Sequence, residues 1–458
     1  MSTDNVVRDM VEILERIGEW REAQVNKVHL DGLINGQNVL GNTLSQETVE
    51  ALRWRKGEEP LQYWGFSYGT ILGATFATLQ PHRAHRVILD GVADSVDYYA
   101  GGWTTNLQDS DKIMHNFFEY CFQAGANCSM VKESDTSSED VMARWDDLEN
   151  YIKENGPIPV PGHKEIGPQV ITLTDVYSLI FAIVYKPHGG FLELDRTIGP
   201  IMNSLGTPSF PNATIAAARK HVLEMANLNE MVIDPSVRCN TSDLNINDPE
   251  CGTFFDTALW GMTSTLRIHC RDGDNEIAIH SVQEFENYQA QLNNQSRWLG
   301  DAWAGVRLLC SGWPSRPQEL GHWFPDRGRR AAPLQKQIGS NATAHGILLI
   351  GNTYDPVTPQ RNARFMSSLF KNSVMLQNDI DGHCVPAGVS LCAVKAIRTY
   401  FQTGELPEEN LLCLPQIRPL VGENGKGLEK VDYGKLDLEH KFLLKNAARF
   451  AKVYGVYK

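Results

Sequence analysis

The segment Tyr63-Trp64-Gly65-Phe66-Ser67-Tyr68-Gly69-Thr70 constrains this chain more than any other. Leu61–Trp64 is a short apolar run with strand character, and Thr70–Ala77 is a run of small and apolar residues suited to a helix lying close on a sheet. Between them, a Gly-x-Ser-x-Gly pattern predicts a tight, strained turn that lifts the serine hydroxyl out of the top of the sheet. Glycine at 65 and 69 leaves room where a side chain would strike the neighbouring strand or helix backbone. The helix N-terminus behind Ser67 favours negative charge that develops beside it. Ser67 is therefore the candidate nucleophile, and the backbone N–H of Tyr68 the first candidate donor to an oxyanion.

A serine nucleophile needs a base, and the base needs an acid that orients it. Folds that carry this turn supply them in the chain order Ser, Asp or Glu, His. Gly346-Ile347-Leu348-Leu349-Ile350 reads as a strand buried on both faces. It runs into Gly351-Asn352-Thr353-Tyr354-Asp355-Pro356, placing Asp355 just past the end of a parallel strand. A second strand, Ser373–Gln377, leads to Asp379-Ile380-Asp381-Gly382-His383. His383 is the candidate general base and acid, and Asp355 the orienting carboxylate. Asp379 and Asp381 are the competing acids, close to His383 in sequence.

With these residues in place the chain resembles the tripeptidyl-aminopeptidase and proline-iminopeptidase type of α/β-hydrolase, known from fungi and bacteria. The resemblance is carried by Trp64–Thr70, by Val87-Ile-Leu-Asp-Gly-Val92 and by the Asp355 and His383 segments. From Gly346 to Cys413, with His383-Cys384, Tyr400-Phe401 and Gly404-Glu405-Leu406-Pro407, the chain resembles the C-terminal domain of those secreted peptidases. The resemblance implies an α/β fold with a mostly parallel sheet, and serine-dependent hydrolysis of amide bonds near a free peptide N-terminus. The same residues also suit hydrolysis of an ester, lactone or amide on a small metabolite, or a catalytically dead relative that only binds.

Composition narrows the partners. The net charge of −13 and pI of about 5.5 argue against nucleic acid and anionic membranes. No apolar run approaches the roughly 18–20 residues that span a bilayer. A small peptide or a small ester or amide is the expected substrate. Neither Cys-x-x-Cys nor His-Glu-x-x-His occurs, so no metal and no other cofactor is expected. Nine cysteines and five Asn-x-Ser/Thr sequons, at Asn127, Asn212, Asn240, Asn294 and Asn341, lean towards an oxidising, secretory setting. The Met1 end, however, shows neither the basic nor the apolar region of a signal peptide. Cys121/Cys128 and Cys239/Cys251 are candidate local pairs; Cys384, next to His383, reads as a structural cysteine.

The expected organisation is a partial hydrolase core with the elbow over 1–95, a helical cap over 96–340, a C-terminal core with Asp355 and His383 over 341–415, and a tail over 416–458. Helical periodicity in the cap falls at 112–124, 141–154, 173–185, 216–227 and 257–268, with breaks at Pro157–Gly162, Pro187–Gly190 and Gly206–Pro208. Six cap tryptophans, Trp103, Trp260, Trp298, Trp303, Trp313 and Trp323, read mainly as core. Asp272, Glu284 and Glu286 are acids that suit a substrate ammonium, none singled out as a site. At the other end, Val6, Met10, Val11, Leu14 and Ile17 trace one face of a helix over Val6–Trp20, and His29–Pro60 reads as an irregular insertion. Only about 60 residues precede Leu61, without the glycine run that supplies the second oxyanion donor. The expectation is an N-terminally incomplete hydrolase: early strands missing, one side of Leu61–Trp64 unpaired, and poor solubility and weak hydrolysis in consequence.

Overall fold

Alternation along a few short strands sets the layers of the molecule. A computed structural model of the chain describes residues 2–35, 45–160, 169–205, 268–273, 278–311, 337–422, 434 and 436–454. Its strands are β1 (Leu61–Phe66), β2 (Ala84–Asp90), β3 (Ile158–Val160), β4 (Gln169–Ile171), β5 (Leu348–Tyr354), β6 (Val374–Asp381) and β7 (Leu412–Cys413). The central sheet runs β1-β2-β5-β6-β7, and each adjacent pair is parallel. β3 and β4 form a separate antiparallel ribbon.

Because side chains along a strand point to opposite faces, each buried strand feeds two cores. Val87 and Leu89 of β2 and Leu349 of β5 face one side, where they meet Ile71, Ala74 and Ala77 of helix Tyr68–Leu79 and Ala363 and Met366 of helix Gln360–Ser368. Ile88, Leu348 and Ile350 face the other side and meet Ala393, Ile397 and Tyr400 of helix Leu391–Thr403. Strands buried on both faces need apolar residues at every position, which is why Ile347–Ile350 reads as an unbroken run. The register Ile88↔Leu348, Leu89↔Leu349 and Asp90↔Ile350 brings together segments far apart in the chain and aligns the ends of β2 and β5.

The intervening chain builds a helical layer with its own core. Helices Ser110–Ala124, Ser138–Asn155, Leu173–Val184, Pro187–Ser204, Val282–Asn293 and Gly300–Ser311 pack around Phe117, Phe118, Trp145, Ile180, Phe191 and Trp298. The predicted helices at 112–124, 141–154 and 173–185 are found within a few residues of these bounds; that at 216–227, and all but the last residue of that at 257–268, lie outside the described residues. The expected break at Pro187–Gly190 is found: helix Leu173–Val184 ends just before it, and His188 (ψ 98°) and Gly189 (φ 98°) leave helical geometry at the start of Pro187–Ser204. Trp298 and Trp303 are buried, as expected of core tryptophans. Glu149 is buried with Trp145 and Trp298 because both indoles donate to its Oε1 at 2.7 Å, and the Tyr177 hydroxyl donates to its Oε2 at 3.1 Å.

The N-terminal helix departs from the sequence reading. It spans Thr3–Asn35, running well beyond Trp20, and a further helix, Gln46–Ala51, lies within the span expected to be irregular. No proline or glycine interrupts residues 19–31, so nothing stops the helix after Trp20. Gly18 is tolerated inside it because a Cβ there would come within 2.6 Å of Trp54 and 2.7 Å of Glu59. Val7 is fully buried in this helix, with Met10, Val11 and Leu14 against Leu61 and Phe76, whereas Ile17 faces outward beside Ile13 and Trp20. β1 is the edge strand of the described sheet. Helix Leu438–Tyr454, in the expected tail, brings Phe450 within 5.9 Å of the Trp64 ring and 6.1 Å of Phe66.

Three disulfides occur among the described residues: Cys121–Cys128, Cys270–Cys310 and Cys392–Cys413. The first is one of the two candidate local pairs; Cys239 and Cys251 lie outside the described residues. Cys384 is a buried thiol outside these disulfides. Replacing Cys392 and Cys413 together by Ser should lower unfolding free energy by about 2–4 kcal/mol, read from urea denaturation. In the same protein, alkylation under native conditions should spare Cys384.

Candidate active site

Ser67 sits where β1 meets helix Tyr68–Leu79, with φ 55° and ψ −122°, a left-handed conformation that a non-glycine residue adopts only under constraint. The constraint is visible. Ser67 N–H donates to the Asp90 carbonyl at 3.1 Å, and its own carbonyl accepts from Thr70 N–H at 2.8 Å and Thr70 Oγ1 at 2.6 Å. The Tyr63 hydroxyl donates to the Gly69 carbonyl at 2.7 Å. A Cβ on Gly65 would lie 2.4 Å from the Gly69 oxygen, so this turn admits only glycine there. Tyr68 N–H is the first amide of the helix and so belongs to the set without an intrahelical acceptor.

Asp355 lies just past β5 and is fully buried. Its Oδ1 accepts the N–H of Val357 at 3.0 Å and of Thr358 at 2.8 Å; its Oδ2 accepts Cys384 N–H at 3.1 Å. His383 Nδ1 lies 3.0 Å from each carboxylate oxygen. Thr358 Oγ1 stands 3.2 Å from the same ring nitrogen. With Nδ1 so engaged, the imidazole presents Nε2, which is buried and has no partner among the described residues. The His383 backbone is held as well, its N–H donating to the Tyr185 carbonyl at 2.9 Å, with the Tyr185 ring edge-on to the imidazole at 5.0 Å. Gly382 (φ 107°) permits this contact: a Cβ there would come within 2.5 Å of Pro187.

The competing acids point elsewhere. Asp379 accepts from Arg418 Nη2 at 2.7 Å and from Thr353 Oγ1 at 2.9 Å. Asp381 accepts from Asn116 and from the Tyr120 hydroxyl at 2.8 Å. Of the acids considered for a substrate ammonium, Glu284 Oε2 accepts the His280 N–H at 2.9 Å just before helix Val282–Asn293, and Glu286 is exposed. Asp272 is buried, accepts from Thr3 and from the Tyr98 hydroxyl at 2.9 Å, and is pushed up to about 6 by that burial. Thr3 Oγ1 in turn bonds the Tyr68 hydroxyl, so a cap carboxyl is linked to the residue after Ser67.

Several residues that matter here were not singled out from sequence. Asn352 donates to the carbonyls of Gly382 and Cys384, both at 2.7 Å, and accepts from Asn378 at 3.0 Å, clamping the loop that carries His383. Tyr185 reaches the same loop from the cap. Asp90 ends β2 with a buried carboxyl. An asparagine or aspartate inside or at the end of an apolar strand run was the available signal. Asp355, His383 and Cys384 also bring three ligand-type atoms within 4.8 Å of one another. The Asp355 oxygens are already occupied by N–H donors, and Cys384 Sγ lies 3.3 Å from the Asp90 carbonyl, an arrangement that suits a hydrogen-bonded pair.

The parallel sheet with helices on both faces, with the serine elbow and the Asp–His pair both at strand ends, is an α/β-hydrolase fold. A family model described as TAP-like protein matches residues 296–413, the part carrying Asp355 and His383. Across 373 residues the chain is 22% identical to tripeptidyl aminopeptidase of Streptomyces lividans, covering 81% of this chain and 58% of that protein. It is 23% identical over 399 residues to putative hydrolase YuaR of Escherichia coli, covering 84% and 65%. It is 21% identical over 389 residues to serine protease Hip1 of Mycobacterium tuberculosis, covering 82% and 63%. The chain thus spans about three fifths of the length of the relatives it matches.

Asp355→Asn should be costly to the fold as well as to the ring. Both carboxylate oxygens face N–H donors, so an amide NH₂ at either place opposes one. A loss of about 1–3 kcal/mol in urea denaturation is expected, whereas Asp379→Asn should leave the His383 environment unchanged in ¹⁵N NMR of the ring.

Proposed function

We propose that the chain is a serine hydrolase that cleaves amide bonds near a peptide N-terminus through an acyl-enzyme. The observation that carries this reading is the buried His383 ring, fixed at Nδ1 by Asp355 and left open at Nε2, on the same strand-end surface as the strained Ser67. Such an arrangement supplies a nucleophile, a base and an orienting acid in the order expected of this fold.

In the proposed reaction His383 Nε2 accepts the Ser67 hydroxyl proton as Oγ bonds to the substrate carbonyl carbon. The resulting oxyanion receives the Tyr68 N–H, at the positive end of helix Tyr68–Leu79. Collapse of the tetrahedral intermediate breaks the C–N bond, and the imidazolium returns its proton to the leaving amine. Water, deprotonated by the same nitrogen, then releases the acid and restores Ser67. Asp355 stays ionised throughout and keeps the imidazole in the tautomer that leaves Nε2 free. No cofactor enters this sequence.

A peptide substrate is supported by two of the relatives, which are named as an aminopeptidase and a protease. The helical layer over 96–340 is proposed as the cap that selects substrate, on the core segments 1–95 and 341–415. Three disulfides favour an oxidising compartment. No helix among the described residues is long and apolar enough to cross a membrane.

A fluorophosphonate probe should label Ser67, and Ser67→Ala should abolish labelling and lower kcat by roughly 10⁴–10⁶. Among substrates, tripeptidyl and aminoacyl arylamides should turn over. Turnover confined to aryl esters would replace the peptide by a small-metabolite substrate, and labelling at another serine would sink the assignment.

A further inference from the structure

Asp90, at the end of β2, is bonded to Ser67, to Trp64 just before it, and to the two residues that follow His383. Its backbone carbonyl accepts the Ser67 N–H at 3.1 Å and faces the Cys384 thiol at 3.3 Å. Its Oδ1 accepts Val385 N–H, two residues after His383, at 2.9 Å. Its Oδ2 accepts the Trp64 indole N–H, three residues before Ser67, at 3.3 Å. The side chain has no contact with water. The following residue, Gly91 (φ 64°), brings the strand end so close to the His383 loop that a Cβ would stand 2.3 Å from Cys384 Sγ and 3.3 Å from His383 Cε1.

One backbone strut would be enough to hold two loops together. A carboxyl group in a dry site is an expensive strut unless its charge is used. The titratable groups packed around it are His383 and Cys384 on the loop after β6 and Asp355 after β5; β1 contributes only the uncharged Trp64 indole. We propose that Asp90 is a positioning residue for the hydrolytic step: it sets His383 against Ser67 through Val385 and Trp64, and its carboxylate supports positive charge on the imidazole. The proposal rests on the Ser67–His383 reading above. Asp355 is the direct partner at Nδ1, and Asp90 is a second negative charge behind it.

The electrostatics agree. Burial pushes the Asp90 carboxyl up to about 7, against the hydrogen bonds from Val385 and Trp64 and the pull of His383; Asp355 adds to the rise. Its charge therefore changes in the range where such an enzyme works. The sign for stability follows from the raised value. The folded state holds this proton more tightly than the unfolded chain, so Asp90's contribution is complete below the ordinary carboxylate range and fades as pH rises through about 7.

The test is the second-order rate of fluorophosphonate labelling of Ser67 in the full chain between pH 5.5 and 9, for the wild type, Asp90→Asn and Trp64→Phe. Asp90→Asn should label about tenfold more slowly on the plateau, the factor that corresponds to one pKa unit. Its acid limb should move to lower pH, because a charge favouring the protonated imidazole is gone. Trp64→Phe keeps the carboxyl but removes a bond to its anion, and should shift the limb the same way by less. It also decides the matter if Asp90→Asn does not fold. A folded Asp90→Asn with the wild-type profile, or one slowed by the same factor at every pH, would make Asp90 a strut and overturn the proposal. So would a Trp64→Phe profile matching the wild type where Asp90→Asn is lost. A wild-type chain that is not labelled at Ser67 would instead remove the serine-hydrolase reading, and this proposal with it.

Discussion

A carboxylate cut off from water survives only where donors surround it, and the site is organised around that requirement at Asp355. Three backbone N–H groups and one imidazole nitrogen converge on two oxygens. Two of the amides belong to the loop after β5, and the third to the loop after β6. Satisfying the charge therefore joins two strand-end loops, closes the Asp355-Pro-Val-Thr turn and fixes the plane of the His383 ring. The parallel pairing of β5 with β6, from Leu348↔Val374 to Asn352↔Asn378, makes this possible by ending both strands at the same edge. The neighbouring pairing of β2 with β5 extends that edge to Asp90 and the Ser67 turn.

Below the polar edge the sheet is apolar on both faces, and this separation places the chemistry. Polar groups gather where the strands stop: Asn352, Asn378, Asp90, Asp355 and His383 are all buried, and each has a hydrogen-bond partner on another strand or loop. Tyr185 and Pro187 bring the helical layer onto the same loop, so the cap and the His383 segment are packed together at Gly382. A shift of the cap would be felt at the imidazole. Asp272 gives a second link, through Thr3 to the Tyr68 hydroxyl.

Much of this was legible in the sequence, for stated reasons. The turn at Ser67 needs glycine on both sides, and strands buried on both faces need unbroken apolar runs; both needs leave marks in single segments. Asp355 and His383 were legible because their chemistry demands particular residue types at strand ends in a particular order. What could not be read depends on neighbours distant in the chain. Cys270–Cys310 and Cys392–Cys413 pair across separations of 40 and 21 residues, which spacing alone does not disclose. The helix runs to Asn35, beyond the expected Trp20, since its C-terminal half carries no apolar face as regular as that of Val6–Ile17 to mark it. Gly18 answers to Trp54 and Glu59, which lie outside its own helix. Ile17 was assigned to the packed face by periodicity, yet it is 51% exposed beside Ile13 and Trp20. Asp90 read only as the end of a strand, since its partners Trp64 and Val385 lie on other elements.

The account rests on three side chains acting at one point, and the crystal structure of the fluorophosphonate adduct tests that most directly. The predicted result has phosphorus bonded to Ser67 Oγ, the phosphonyl oxygen accepting Tyr68 N–H, and His383 Nε2 within hydrogen-bond reach of the adduct, about 3 Å, with Nδ1 still on Asp355. Phosphorus on another residue, or an adduct at Ser67 with the imidazole turned away from it, would contradict the account.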